Sequence, residues 1–180
     1  MPVGNRALRA DCHAKQEGGI TMPGRSYPPR RSRRPERERT LDEVWKDYLS
    51  GGYFDGEGLK DEYVARQKVE ELVREMSKAN PALANHQLRR FFQHCRAIEA
   101  RLKSRQSTWE VEKGEIHKLD IAAADAFGKN NKKIPKIFHD FIKRNVANIK
   151  TEKDFLEGFL RHFEAIVGFG AQYFKEKERS

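Results

Sequence analysis

Apolar residues recur at three- and four-residue steps through most of the chain after residue 40, which is the spacing of one face of an α-helix. The clearest run begins at Asn85 and contains Leu88, Phe91, Phe92, Cys95, Ile98 and Leu102. Similar runs predict helices over residues 59–77 and 108–127, and a further helix from Pro135 to about Ile149.

The last predicted helix runs from Thr151 to Phe174 and is apolar over more than half of its circumference. We therefore expect it to be the most enclosed helix of the fold. Its glycines, Gly158, Gly168 and Gly170, lower its intrinsic stability by up to ~1 kcal/mol each, and close contact between helices would explain their presence.

Capping and breaking residues mark the first helix. Thr40, followed three residues later by Glu43, matches a capping box and predicts a short helix that continues to Leu49. Four glycines between Gly51 and Gly58 then interrupt the chain. Because they follow no strand, we interpret them as a flexible turn rather than a phosphate-binding loop.

Residues typical of strands are scarce, since Val, Ile and Thr together number only 21, and no segment alternates apolar and polar positions. The sequence therefore predicts an all-α fold, a compact bundle of about five to six helices over residues 40–180. Residues 1–39 are rich in Arg and Pro and contain little to bury, so we expect a disordered, flexible basic arm. Both Met1 and Met22 are candidate start residues for translation.

Charge is distributed unevenly along the chain, whose net charge is +9. Residues 1–39 carry +6, residues 40–84 carry −4, residues 85–150 carry +8 and residues 151–180 carry −1. A basic centre between two acidic segments is typical of a positive binding face and predicts a polyanionic partner.

The sequence gives little support for an enzymatic function or for a membrane protein. The two cysteines, Cys12 and Cys95, form no metal or redox motif, and the six histidines lack metal-ligand spacing. We find no phosphate-binding or zinc-protease motif, so we expect no catalytic residues, no metal and no cofactor. No apolar run reaches the ~20 residues that cross a bilayer, which favours a cytoplasmic protein without membrane contact.

Basic residues of the central segment are the candidate RNA-binding residues. They are Arg89, Arg90, Arg96, Lys103, Lys129, Lys132, Lys133, Lys136 and Lys143. Arg89, Arg96 and Lys103 recur every seventh residue with few acids nearby, so they form a line of cations that can follow successive phosphates. A solvated surface is the alternative. The neighbouring phenylalanines occupy core positions, and only a minority are expected to face bases.

Three stretches resemble one known family, the small helical subunit of type III-A CRISPR (Csm) effector complexes. The first is Gln87-Leu88-Arg89-Arg90-Phe91-Phe92 continuing to Arg96-Ala97-Ile98-Glu99, the second runs from Lys118-Leu119 to Ala126-Phe127-Gly128-Lys129, and the third runs from Phe159 through Glu164-Ala165-Ile166-Val167 to Tyr173. The resemblance covers roughly residues 85–175.

This resemblance implies a non-catalytic, structural RNA-binding subunit for antiviral defence, which contacts the backbones of guide RNA (crRNA) and target RNA. Several copies would stack on one another beside the large subunit and the repeated backbone subunit, to which the cleavage reactions belong. By position in the family's motifs, Arg89, Arg90, Arg96 and Lys129 are the most family-like cations. A stand-alone helical DNA-binding regulator is the rival interpretation, and a recognisable helix-turn-helix would favour it.

Overall fold

Six α-helices make up most of the chain that the computed structural model describes, namely residues 37–128, 130 and 132–174. They are α1 (Leu41–Val44), α2 (Arg66–Lys78), α3 (Asn85–Lys103), α4 (Trp109–Gly128), α5 (Lys136–Asn148) and α6 (Leu160–Gly170). A π-helical segment, Asp154–Phe159, leads directly into α6. The all-α prediction is confirmed, and no helix in the described part of the chain is both long and apolar enough to cross a bilayer.

Helix α1 begins as the capping box predicts but ends early. The Thr40 amide donates to Glu43 Oε2 at 2.8 Å, and the Glu43 amide donates to Thr40 Oγ1 at 3.3 Å. The helix is one turn long instead of continuing to Leu49, because Asp47 and Leu49 adopt left-handed φ angles of 59° and 62°. The resulting turns bury Leu49 and its aromatic neighbours, so tertiary packing overrides the helical pattern here.

A small β-hairpin forms in the glycine-containing segment, for which the sequence predicts a flexible turn. Strand β1 (Phe54–Asp55) pairs antiparallel with β2 (Gly58–Leu59), and a 3-10 turn at Asp61–Tyr63 leads towards α2. The expectation of no β-structure is wrong for these four residues. A two-residue connection at a glycine with positive φ, Gly56, is a typical way to close such a hairpin.

The predicted N-terminal arm lies outside the described residues except for residues 37–39. Those three contact the helical part of the chain: Arg37 pairs with Glu43 at 2.9 Å, and Arg39 pairs with Glu71 at 3.3 Å. The described structure therefore already includes the last residues that were assigned to the arm.

The segment before and within α6 is enclosed, as its pattern predicts. Phe155, Phe159, Phe163 and Ile166 are completely buried. Phe163 packs against Phe141 of α5 with ring centroids 5.7 Å apart, so α5 and α6 share one aromatic core. Burial of such rings supplies a large part of the hydrophobic stabilisation of a small domain.

Two of the three glycines in this segment lie at close contacts. A Cβ atom at Gly158 would lie 2.6 Å from Cγ of Tyr53, and one at Gly170 would lie 2.5 Å from the Phe174 ring. Gly168 has open space around it. The close contacts at Gly158 and Gly170 are therefore with Tyr53 and Phe174, which lie outside the helices, so the predicted contact between helices does not explain these glycines, and Gly168 has no close contact at all.

A buried chain of hydrogen bonds joins the N-terminal segment to α5 and α6. His162 Nδ1 lies 2.5 Å from the Tyr63 carbonyl, and His162 Nε2 lies 2.8 Å from the Tyr48 hydroxyl. Asn145 Nδ2 donates to the Tyr48 hydroxyl at 2.8 Å, while Asn145 Oδ1 accepts from the Tyr53 hydroxyl at 2.9 Å. Among the described residues, no buried side-chain nitrogen or oxygen lacks a hydrogen-bond partner, so the network joins these segments without an unsatisfied side chain.

Candidate nucleic-acid interface

Helix α3 carries the first group of candidate residues. Its buried side contains Leu88, Phe91, Cys95, Ile98 and Leu102. All four candidate cations of this helix, Arg89, Arg90, Arg96 and Lys103, are exposed. The amphipathic pattern therefore places all four charges on the surface. The four cations differ in whether they form ion pairs with carboxylates of the protein.

Arg96 and Lys103 are held by carboxylates. Glu99, which is only 6% exposed, pairs with Arg96 at 2.6 Å and with Lys103 at 2.6 Å. Arg96 also pairs with Glu164 of α6 at 3.0 Å. The sequence-based expectation of few acids near this line of cations is wrong, and moving these two cations to a phosphate would leave a nearly buried carboxylate without its partners.

Arg101 is likewise paired with a buried carboxylate. Its Nε and Nη2 atoms donate to the two carboxylate oxygens of Glu112, both at 2.7 Å, and Glu112 is 2% exposed. The hydrogen bonds from Arg101 lower the pKa of the Glu112 carboxyl below its usual value. This bidentate pair ties the end of α3 to the start of α4.

Arg89 and Arg90 lie near the other end of α3 and are not paired with a carboxylate of the described residues. Arg89 Nε donates to Asn85 Oδ1 at 3.3 Å, and within the described part of the chain neither arginine forms an ion pair. Both guanidinium groups are exposed and can exchange water for a phosphate without breaking a salt bridge.

The loop between α4 and α5 is attached to this end of α3. Gln87 Nε2 donates to the Lys133 carbonyl at 2.5 Å, while Gln87 Oε1 accepts from the Ala84 amide at 3.0 Å. The Lys133 amide donates to the Ala126 carbonyl at 2.9 Å. Lys132 and Lys133 are exposed, and Lys133 lines a groove together with Arg90, while the Lys132 ammonium lies over the Phe127 ring. Lys129 lies outside the described residues.

A groove of about 420 Å³ lies between α3 and α4, and we call it the α3–α4 groove. The side chains of Arg90, Lys118 and Lys133 contribute cations to its lining. Buried residues Phe91, Leu119 and Ile134 provide apolar surface, and the small side chains of Ala122 and Ala126 leave the space open. Lys118 is already paired with Glu115 at 2.6 Å, and Lys133 forms no ion pair with a described residue, although the Asp125 carboxylate lines the same groove.

The remaining candidates lie on α5. Lys136 pairs with Asp140, one turn along the same helix. Lys143, one further turn along, is exposed and has no ionic partner among the described residues. Lys136 is therefore partly neutralised, and Lys143 is separated from the loop cations by about two helical turns.

Aromatic side chains near the cations are mostly enclosed. Phe91 and Phe138 are buried and stack edge to face with centroids 5.2 Å apart. Phe127 is half-buried, with its ring 4.8 Å from the His139 ring and 4.5 Å from the ammonium group of Lys132. Most of these rings therefore occupy the core, as their positions in the sequence predict.

The Cys95 thiol and possible metal-binding clusters are the groups of the described chain most relevant to catalysis. Cys95 is completely buried, and burial raises the pKa of its thiol well above the usual value. No group of three or more His, Cys, Asp or Glu side chains in the described ranges could hold a metal ion. The surface of α3 and its adjoining loop is thus the strongest candidate site on this part of the chain.

Sequence reasoning missed two residues of this surface. Gln87 holds the loop against α3, and Lys118 adds a third cation to the groove. Both belong to the stretches that carry the family resemblance, so the resemblance was the available signal. Periodicity alone could not single them out, since a Gln–carbonyl contact across 46 residues leaves no local pattern.

Comparison with known proteins shows the family of the chain. A family model described as Csm2 Type III-A matches residues 64–176, which is more than half of the 180-residue chain. The match begins just before α2 and includes α2 to α6 together with the basic loop. No curated protein and no solved structure matches the chain significantly. The chain therefore belongs to the Csm2 family and is a small subunit of the type III-A CRISPR (Csm) complex.

Proposed function

We propose that the chain is a non-catalytic subunit that binds the sugar-phosphate backbone of the guide and target RNA inside the Csm complex. Its main RNA contact is the basic cluster, which we define as Arg89, Arg90, Lys132 and Lys133. These cations bind phosphates without reading sequence, because phosphate contacts position a protein on nucleic acid but carry no base information.

One observation carries this proposal: the cluster is free of ion pairs while its neighbours are not. Arg96 and Lys103 hold Glu99, and Lys136 holds Asp140, whereas the described residues provide no carboxylate to the four cluster cations. A cation without a protein partner gains more from a phosphate, since binding breaks no existing salt bridge and releases counterions.

The other basic candidates have secondary roles in the proposal. Lys129 precedes the loop residues of the cluster in sequence and is a further candidate phosphate contact, and Lys143 offers a separate phosphate contact on α5. Arg96, Lys103 and Lys136 contribute long-range attraction rather than direct contacts, because their charges are already paired. Family membership favours this subunit role over the stand-alone DNA-binding regulator.

We further propose that copies of the chain stack on one another and contact the large and repeated backbone subunits. Supporting this, residues 40–84 carry a net charge of −4 and residues 85–150 carry +8. Opposite charges on different parts of one chain favour a head-to-tail arrangement, in which an acidic surface of one copy faces a basic surface of the next.

The experiment compares two charge-reversal variants of the purified chain. The test variant is Arg90→Glu with Lys133→Glu, and the matched control is Lys46→Glu with Lys68→Glu, which alters two exposed lysines outside the cluster. Binding of a single-stranded RNA of about fifteen nucleotides is measured at several salt concentrations, and folding is checked by thermal unfolding.

We expect the test variant to lose RNA affinity by about tenfold or more, and the dependence of log K on log salt to become shallower by about 1.4, for two lost phosphate contacts. The control should change affinity much less, since only its net charge is altered. Equal losses in both variants would mean that net charge alone attracts RNA, and the cluster would not be the site.

A further inference from the structure

The α3–α4 groove opens beside the basic cluster and shares two residues with it. Arg90 and Lys133 belong to both, and Lys118 adds a third cation to the groove. Its volume of about 420 Å³ falls within the range of about 300–1,000 Å³ that is typical of small-molecule pockets. A phosphate held by the cluster therefore has a pocket-sized cavity next to it.

The lining of the groove combines two chemistries. Phe91, Leu119 and Ile134 form the apolar part of the lining, and Asp125 adds one carboxylate to it. The cations at the same site are exposed. A nucleotide has the matching composition, since its flat base is apolar on both faces and its phosphate is anionic.

We propose that the α3–α4 groove receives an unpaired base of the bound RNA, so that the subunit contacts bases as well as phosphates. This inference rests on the proposed function, because Arg90 and Lys133 hold the phosphates on either side of that base. An acidic protein segment would also match the cations, but the continuity of the groove with the basic cluster favours the nucleotide.

The test fills the groove without changing its charge. Ala122→Leu places a larger apolar side chain in the groove, and Ala124→Leu makes the same change two residues away, where the exposed side chain points to another side of α4. The probes are oligouridylate, whose bases stack weakly on each other, and an abasic oligomer with the same number of phosphates.

The wild-type chain and Ala124→Leu should bind oligouridylate about tenfold more tightly than the abasic oligomer, as one stacked base contributes. Ala122→Leu should lose this preference while it keeps its affinity for the abasic oligomer. Equal wild-type affinities for the two probes, both weakened by salt, would overturn the groove inference and leave the phosphate contacts standing.

Two other outcomes are informative in different ways. If the wild-type chain binds neither oligomer, the proposed function itself fails together with the groove inference. If Ala122→Leu keeps the preference for bases but no longer joins the other Csm subunits, the groove holds a protein segment and the inference is overturned.

Discussion

Gln87 Nε2 donates a hydrogen bond of 2.5 Å to the backbone carbonyl of Lys133, which follows it by 46 residues. This contact attaches the loop between α4 and α5 to the first turn of α3. Arg90 and Lys133 consequently line the same groove, and two stretches that are distant in sequence form one basic surface. Substitutions can distinguish the contribution of this surface to RNA binding from the contribution of the surrounding ion pairs to stability.

Replacing Gln87 with Met removes the link but keeps the length of the side chain. We expect RNA affinity to fall by up to about fivefold, because the hydrogen bond to the Lys133 carbonyl contributes about 1 kcal/mol to ordering the loop cations. The substitution also removes the hydrogen bond from the Ala84 amide at the start of α3, and thermal unfolding measures that effect on stability. Gln93→Met is the control, since Gln93 is exposed on the same helix. Titration with labelled RNA measures both variants, and equal affinities for the two would show that the link does not position the loop.

Arg96 and Lys103 are predicted to stabilise the fold more than they bind RNA. Arg96→Met with Lys103→Met leaves Glu99 nearly buried and unpaired, which should lower the free energy of unfolding by about 1 kcal/mol or somewhat more. Adding Glu99→Met should restore most of that loss, because the uncompensated carboxylate is then gone. Urea denaturation measures the stability, and a stable double variant that no longer binds RNA would contradict the assignment.

Stability should depend on pH through His162. Burial lowers the pKa of the His162 imidazole to about 4, from its usual value of about 6.5. The unfolded chain therefore binds more protons between these values, so stability is complete above pH 6.5 and falls as the pH drops towards 4. From about pH 7.5 to about pH 5 the expected loss is about 2 kcal/mol.

The comparison that isolates this effect uses His162→Gln, which retains hydrogen-bonding groups but does not titrate. Urea denaturation at both pH values should give a smaller pH dependence for the variant than for the wild-type chain. An identical pH dependence would mean that other groups cause it and that His162 titrates normally.

Two glycine substitutions should have opposite effects. Gly158→Ala places a Cβ atom 2.6 Å from the Tyr53 ring, so the resulting shift should destabilise the fold by about 1–3 kcal/mol. Gly168→Ala meets no atom within 4 Å in α6, and it should be neutral or stabilising by up to about 1 kcal/mol. Thermal unfolding compares them, and similar melting temperatures would contradict the close packing at Tyr53.

Local patterns predicted most of the fold. Helix α3 begins at Asn85 as predicted, since its apolar residues keep a helical period over 19 residues. The helix predicted over residues 40–49 is too long, because turns after Val44, rather than a longer helix, bury Trp45 and Tyr48. These turns bring Tyr48 against Phe141 of α5, and they bring the rings of Trp45 and Tyr48 against His162 of α6. Such long-range packing leaves no signal in a ten-residue window.

The same limit applies to the candidate site. The sequence identified the four cations of the basic cluster, because charge is read directly from composition, but it did not single out Lys118 of the adjoining groove. It could not distinguish Arg96 from Arg90, since one partner of Arg96, Glu164, lies 68 residues away and is brought close only by the packing of α3 against α6. Ion pairing, more than the presence of charge, defines the proposed site.

The most direct test of the central claim is ultraviolet cross-linking of the assembled Csm complex, with its guide RNA, followed by identification of the cross-linked peptides. The account predicts cross-links in the peptides around Arg89 and Arg90 and around Lys132 and Lys133, and their loss in Arg90→Glu with Lys133→Glu. Cross-links confined to the surface around Arg96 and Lys103, or unchanged in the double variant, would contradict it.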